Sequence, residues 1–347
     1  MPLINKLSAR LQNHPKRVVF PEGSDVRVIQ AARQFATRRL GVPILIGDRT
    51  RIKAIAARID IKLDGIRIIE PARSAELPDF AKLLKGMQRF NGMNEAEAID
   101  YVLSPNYFAC MMLLTGAADA MVCGATTVPT NALRAVFQLI PRQDGVETVS
   151  SMQIMAKEDS ALGINGTLFL ADCAVIPEPT AEQLADIAIT TSMLCYHLTN
   201  VPPRVAMLSY TSKSLTRKTP VVEKVKAATS MARSKARDFD VPVEIDGELQ
   251  VDTALDAFTA NVKGVEGPVA GKANVLVFPD LNSGNIASKF AQLVAEIPAY
   301  GQILTGLSKP IAEISRGASA HDILGSAIIV AAQAVDRHYL YPLESEN

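Results

Sequence analysis

The sequence predicts an α/β fold in which helices cover mainly parallel sheets, and three observations carry that prediction. Short β-branched runs alternate with longer stretches of helical period. Hydrophobic residues make up 48% of the chain while aromatics make up 5% and Trp is absent, a mixture rich in Ala, Val, Ile and Leu that suits sheets buried on both faces. Successive strand candidates end in or beside polar residues, as strands do at the mouth of an open α/β sheet.

In chain order, Arg17-Val18-Val19-Phe20 reads as a strand, residues 25–40 as a helix, Pro43-Ile44-Leu45-Ile46-Gly47 as a second strand, and another helical stretch follows. A further apolar run, Ala118 to Gly124, ends in a Gly-Ala-Thr-Thr turn before a helical pattern over 131–139. The alternation restarts at Thr167-Leu168-Phe169-Leu170-Ala171-Asp172, and Pro179-Thr180 opens a long helix reaching about Leu198. Next come Arg204-Val205-Ala206-Met207-Leu208-Ser209-Tyr210, a helix over 221–236, Val243-Glu244-Ile245-Asp246, and the run from Asn274 to Asp280. Asp172, Ser209, Asp246 and Asp280 thus line up as residues at strand ends; each reads equally well as a turn former or helix cap. The glycines at 264, 267 and 271, with Lys272, form a loop that is either an exposed connection or a close approach to a ligand. From Gly301 the tail supplies Gln302-Ile303-Leu304 and a final helix to about Arg337. Periodicity does not say which half the tail joins.

A chain of 347 residues has room for two or three domains. Its 36 Lys and Arg balance 36 Asp and Glu, so nucleic acid and acidic membrane surfaces are not expected as partners, and any anion binding must be local. Cys110, Cys123, Cys173 and Cys195 lie in apolar surroundings without close pairing and read as reduced thiols of a cytoplasmic protein. His14, His197, His321 and His338 are scattered, and no metal site is expected. Residues 1–16 lack the apolar core of a signal peptide, and no span reaches membrane length.

The densest chemistry lies in the run from Lys309 to Ile323, which contains Ser315, Arg316, Ser319 and Asp322. A helix start offers unpartnered N–H groups to an anion, and Arg316 adds a bidentate clamp with Asp322 close enough to move a proton. The same letters, Ser319-Ala320-His321-Asp322 before an apolar stretch, also spell a capping box. No phosphate-loop signature, no Gly-x-Gly-x-x-Gly turn and no Gly-x-Ser-x-Gly elbow occurs. Spacing alone supports an anion-binding enzyme, with Arg134 after Gly124-Ala125-Thr126-Thr127 as a further cation that, on pattern alone, reads more readily as a surface helix residue.

Seven segments in order carry a resemblance over nearly the whole chain: Phe20-Pro21-Glu22-Gly23-Ser24-Asp25-Val26-Arg27, Gly124-Ala125 with Leu133-Arg134, Ala171-Asp172-Cys173-Ala174-Val175, Val205-Ala206-Met207-Leu208-Ser209-Tyr210, Asp246-Gly247-Glu248-Leu249-Gln250-Val251-Asp252, the long block from Gly271 to Ile286, and Ser315-Arg316-Gly317 with Asp322-Ile323. Through them the sequence resembles the phosphate acetyl/butaryl transferase family, and within it the phosphate acetyltransferases. The resemblance implies two α/β/α domains with mainly parallel sheets and an interdomain active-site cleft, in a homodimer. It implies a discontinuous first domain, 1–148 plus 301–347, around a second domain, 149–300. The implied reaction is acetyl-CoA plus orthophosphate giving acetyl phosphate plus CoA, by direct attack in a ternary complex, with coenzyme A as substrate and no bound cofactor. Asp322 is implied as the base for the CoA thiol, Arg316 as the phosphate-binding arginine, Ser315 as a donor to the oxyanion, and Arg134 as a second arginine at the anion end.

The chain also departs from the family pattern. Gln88 stands where relatives carry Arg, with Arg89 beside it; Val128-Pro129 replaces small hydroxyl residues before Arg134; and Lys213-Ser214-Leu215 stands in place of a Lys-Gly-Ser turn, losing a Gly that allows close backbone approach. Other acyl specificities, phosphate butyryltransferase among them, and a non-catalytic homologue that binds CoA or acyl phosphate remain alternatives. A covalent route through Cys173 is the mechanistic rival.

Overall fold

The computed structural model describes residues 2–214, 218–238 and 242–335. Contacts divide the chain into two units, one made of Lys6–Pro141 with Ser308–Val335 and the other centred on Arg142–Leu307. The division falls at 141/142 and 307/308, whereas the expected boundaries were 148/149 and 300/301. Local pairing accounts for the difference: the Gln143 N–H donates to the Gly306 carbonyl at 2.9 Å, and Arg142 forms an antiparallel bridge with Leu307, so both flanking segments close the same unit. Residues 336–347 of the expected first domain, and Leu215, lie outside the described residues.

The chain opens with α1 (Pro2–Asn13), which buries Leu7 and Leu11 four residues apart on one face. Then follow β1 (Lys16–Phe20), α2 (Val26–Thr37), β2 (Gly41–Ile46), α3 (Arg49–Arg58) and β3 (Arg67–Ile69). Three helices, α4 (Leu77–Gly86), α5 (Glu95–Leu103) and α6 (Pro105–Leu114), precede β4 (Ala120–Cys123) and α7 (Pro129–Leu139). Asp25 caps α2 by accepting from the N–H groups of Arg27 and Val28, and Val28, Ile29, Ala31, Ala32 and Phe35 form the buried face of that helix.

The second unit contains β5 (Ser150–Ala156), β6 (Thr167–Ala171), α8 (Ala181–Thr199), β7 (Arg204–Leu208), α9 (Pro220–Asp238), β8 (Glu244–Leu249), α10 (Val251–Leu255), α11 (Ala257–Val262), β9 (Val275–Val277), α12 (Leu281–Val294) and β10 (Ala299–Thr305). Its strands run in the order β10-β5-β6-β9-β7-β8, parallel from β6 to β8 and antiparallel on both sides of β5. The Gln302-Ile303-Leu304 run lies in β10, where Ile303 and Leu304 pair with Met152 and Ser151 of β5.

The chain returns to the first unit with β11 (Ile311–Glu313) and α13 (Ala320–Gln333). The strand order there is β3-β2-β1-β4-β11, every pair parallel. The chain builds outward from β1 through β2 to β3, then reverses to place β4 and β11 on the other side. The point of reversal lies between β1 and β4, where the loops after two neighbouring strands diverge and open α/β sheets bind ligands. Helix α13 is buried from Ile323 to Gln333 and packs on α2, β1, β4 and β11. A helix apolar on all sides is a core element, and its start is thereby fixed beside the point of reversal.

Candidate active site

At the end of β1 the chain turns through Pro21-Glu22-Gly23. A side chain at Gly23 would meet the Ile46 carbonyl at 2.8 Å, so the turn lies directly on β2. The Glu22 carboxylate accepts hydrogen bonds from three successive backbone N–H groups of the loop after β4: Ala125 at 2.8 Å, Thr126 at 3.0 Å and Thr127 at 2.7 Å. Gly124 begins that loop with φ +104°, and a Cβ there would come within 2.3 Å of the Ile314 carbonyl. Only glycine satisfies both conditions.

Beyond β11 the chain makes a tight turn, in which the Ala318 N–H donates to the Ser315 carbonyl at 2.9 Å and the Gly317 N–H to Ser315 Oγ at 3.3 Å. Ser315 Oγ accepts there, leaving its own proton available to donate. Arg316 is exposed, and among the described residues its guanidinium makes no hydrogen bond or ion pair. Its carbonyl, with that of Ala318, is held by Arg27 Nη1 at 2.6 and 2.9 Å. α13 then starts with a capping box: Asp322 Oδ2 accepts from the Ser319 N–H and hydroxyl, both at 2.8 Å, and the Asp322 N–H donates to Ser319 Oγ at 3.2 Å. No hydrogen bond reaches Asp322 Oδ1 among the described residues. Ser315, Arg316 and Asp322 therefore occupy one turn and the helix start that follows it.

Arg134 lies in the middle of α7, exposed, with no hydrogen bond or ion pair among the described residues and none to the 315–322 run. Its charge lies close enough to Tyr107 to oppose the burial that pushes that phenol up. Val128 is the N-cap of α7 and supplies no side-chain cap, so the Val128-Pro129 departure leaves the helix start to backbone bonds alone. Gln88 is exposed, and the neighbouring Arg89 is engaged at the other end of α7, donating to the Phe137 carbonyl at 2.5 Å. Arg89 thus supports the helix that carries Arg134.

A cavity of 630 Å³ opens beside the loops after β1 and β4, with Glu22, Ser24, Arg51, Asn106, Thr126 and Thr127 among its lining residues. A cavity of 680 Å³ at the β3 edge, by Arg49, Arg67 and Arg73, contains none of the candidate site residues.

Three of the four strand-end residues of the second unit resolve toward structure, whereas the Ser209 hydroxyl is buried with no hydrogen-bond partner among the described residues. Asp172 accepts from the N–H groups of Ser151, Ala174, Val175 and Ile176 and from the Ser151 hydroxyl, fixing its own turn. Asp246 lies within β8, buried between Lys213 and Arg233. Asp280 caps α12 through the Ser283 N–H at 2.8 Å. The loop around Gly271 buries Val269, Ala270 and Ala273 in the core. All four cysteines are buried, and burial pushes their thiols well above the usual range. Among the described residues no group of three or more His, Cys, Asp or Glu could hold a metal ion, and no helix is long and apolar enough to cross a membrane.

The sequence pattern of the phosphate acetyl/butaryl transferases matches residues 2–331. The chain belongs to the phosphate acetyl/butaryl transferase family. A relative from Acetivibrio thermocellus, named phosphate acetyltransferase, is 40% identical over 334 residues, 96% of this chain and 98% of its own. Two solved structures share the family fold at a TM-score of 0.86 with 96% of this chain and 98% of theirs aligned: a EutD phosphotransacetylase from Staphylococcus aureus at 33% identity and a phosphotransacetylase from Streptococcus pyogenes at 34%.

Within this family member two residues between the end of β1 and the first turn of α2 had no role assigned from sequence, Glu22 and Arg27. One local signal marks the second. Arg27 stands two residues after the N-cap Asp25, where the helix dipole disfavours a cation, so its presence calls for acceptors elsewhere.

Proposed function

We propose that the chain is a phosphate acetyltransferase, reversibly transferring an acetyl group between coenzyme A and orthophosphate by direct attack in a ternary complex, with coenzyme A as substrate and no resident cofactor. The observation that carries the site assignment is the start of α13, where Ser315 Oγ retains a proton, Arg316 has no protein partner among the described residues, and Asp322 keeps one carboxylate oxygen outside its capping box.

In the direction of acetyl-CoA synthesis, Asp322 takes the proton of the CoA thiol, because the thiolate is the nucleophile. The sulfur attacks the carbonyl carbon of acetyl phosphate, and Ser315 donates to the oxyanion that develops, a contact worth about 3 kcal/mol in such transition states. As the tetrahedral intermediate collapses, the C–S bond is retained and the bond to the phosphate oxygen breaks. Arg316 holds the departing phosphate through its two parallel N–H donors. Arg134 acts as a second cation for the anionic part of the substrates. In the reverse direction a phosphate oxygen attacks the thioester, and Asp322 returns the proton to sulfur.

The relatives described above are named for acetyl transfer, which favours acetyl over longer chains. Measuring CoA release from acetyl-CoA with and without phosphate tests the activity: phosphate-dependent release is expected, and CoA binding without release would sink it. Comparing kcat/KM for acetyl, propionyl and butyryl phosphates tests the acyl preference.

A homodimer in the cytoplasm fits the same reading. Ile286, Phe290 and Leu293 form an exposed apolar stripe on α12, and Phe258 and Val262 are likewise exposed on α11. A solution mass of twice 37.3 kDa is expected, falling to the single-chain value in Leu293→Asp.

A further inference from the structure

Glu22, in the turn after β1, and Arg27, in the first turn of α2, grip the loop after β4 and the turn after β11. Three N–H groups converging on one point make a concavity for an anion. Here the chain's own Glu22 fills it, with one carboxylate oxygen on Ala125 and the other on Thr126 and Thr127. Arg27 makes the complementary contact. A guanidinium has five N–H donors, and each finds an acceptor: Nε donates to Asp25 Oδ1 at 3.0 Å, Nη2 to Asp25 Oδ2 at 2.9 Å and the Ala125 carbonyl at 2.7 Å, and Nη1 to the carbonyls of Arg316 at 2.6 Å and Ala318 at 2.9 Å. Ala125 is therefore held by Glu22 at its N–H and by Arg27 at its carbonyl. With every donor engaged, Arg27 offers none to a ligand and acts through the backbone it holds.

We propose that Glu22 and Arg27 are positioning residues of the phosphate site, Glu22 by fixing the turn that launches α7 and Arg134, and Arg27 by fixing the turn that presents Ser315 and Arg316. The inference rests on the acyl-transfer reading of that turn. Misplacing a catalytic group by about 1 Å can cost about a hundredfold in rate, so loosening either grip acts first on phosphate and on turnover. In Glu22→Gln an amide NH2 faces at least one of the three N–H groups. Arg27→Lys keeps the charge and its partner Asp25 but has three donors in place of a planar fork.

The test is steady-state kinetics with acetyl-CoA and phosphate varied separately, alongside unfolding midpoints. For both variants kcat/KM for phosphate is expected to fall at least about tenfold, with KM for acetyl-CoA within about twofold of the parent protein. In Glu22→Ala, added formate should refill the concavity and restore activity saturably, while only inhibiting or leaving unchanged the parent protein. Unaltered phosphate kinetics, or a rise confined to KM for acetyl-CoA, overturns the inference, the latter by making the residue a direct contact of that substrate. If Glu22→Gln does not fold, Arg27→Lys decides alone. A parent protein without phosphate-dependent activity overturns the acyl-transfer reading itself and this inference with it, whereas an active parent with unaltered variants overturns only the inference.

Discussion

Ser319 and Asp322 are reciprocal partners at the start of α13: each donates its N–H to the other's side chain, at 2.8 and 3.2 Å, and the bonds use only one of the two carboxylate oxygens. Capping and proton transfer therefore do not compete. Asp322→Asn keeps an oxygen for the cap, so stability should fall by no more than about 1 kcal/mol, while kcat falls by about 10²–10⁴ with loss of a general base. Ser319→Ala should show the reverse balance, about 1 kcal/mol of stability lost with the larger share of turnover kept. Denaturant titrations and kcat on both variants check the pair.

Much of this fold was legible because parallel strands buried on both faces write themselves as apolar runs, as Val18 to Phe20 and Ala120 to Cys123 do. β5 was not legible, since Ser150, Ser151 and Gln153 interrupt its apolar pattern. Its two serines are partnered only in three dimensions, Ser150 with the Thr305 hydroxyl at 2.7 Å and Ser151 with Asp172. β11 spans three residues, too short for a period to register. The capping box at Ser319 was readable from its letters, but the grip of Glu22 on residues 125–127 joins positions about a hundred apart, and no local pattern encodes it.

Arg316 separates binding from stability. Its side chain is exposed and has no protein partner among the described residues, so Arg316→Gln should leave the unfolding free energy within about 0.5 kcal/mol of the parent. A charge-assisted hydrogen bond is worth roughly 1.5–3 kcal/mol, which corresponds to about a 10–150-fold loss in kcat/KM for phosphate. Arg316→Lys should recover charge but not the bidentate geometry, and fall between. Kinetics with phosphate varied checks both.

Cys173 is fully buried and its thiol is pushed up, chiefly by burial and further by Asp172. Such a thiol is a poor nucleophile at neutral pH. Cys173→Ala should therefore retain kcat within about twofold, with stability lowered by about 1 kcal/mol for the lost packing. A loss of turnover at unchanged stability would instead support an acyl-enzyme.

Gly124→Ala tests the junction of β4 and β11. The added methyl would enter the space of the Ile314 carbonyl at 2.3 Å on a backbone with φ +104°, so both strain and overlap oppose it. Because the clashing carbonyl directly precedes Ser315, activity should fall together with stability, by an estimated 2–3 kcal/mol in the latter. Equilibrium unfolding and kcat measured on one preparation check that the two losses occur together.

Asp25 sets an acid limit on the turn that holds the site. Burial would raise its carboxyl, but the hydrogen bonds from Arg27 and Val28 and the Arg27 charge together outweigh that and hold it below the usual carboxylate range. A carboxyl depressed in the folded state contributes stability in full above its unfolded value, about 3.9, and that contribution is lost as pH falls through the lower folded value. No change from Asp25 is expected between pH 7 and 5. Below about pH 4 its contribution declines, and neutralising it releases a partner of the guanidinium that also holds Arg316 and Ala318. Asp25→Asn should therefore be less stable than the parent at pH 6, with the gap narrowing toward pH 3, as urea midpoints measured across that range will show; a gap independent of pH would contradict the depressed carboxyl.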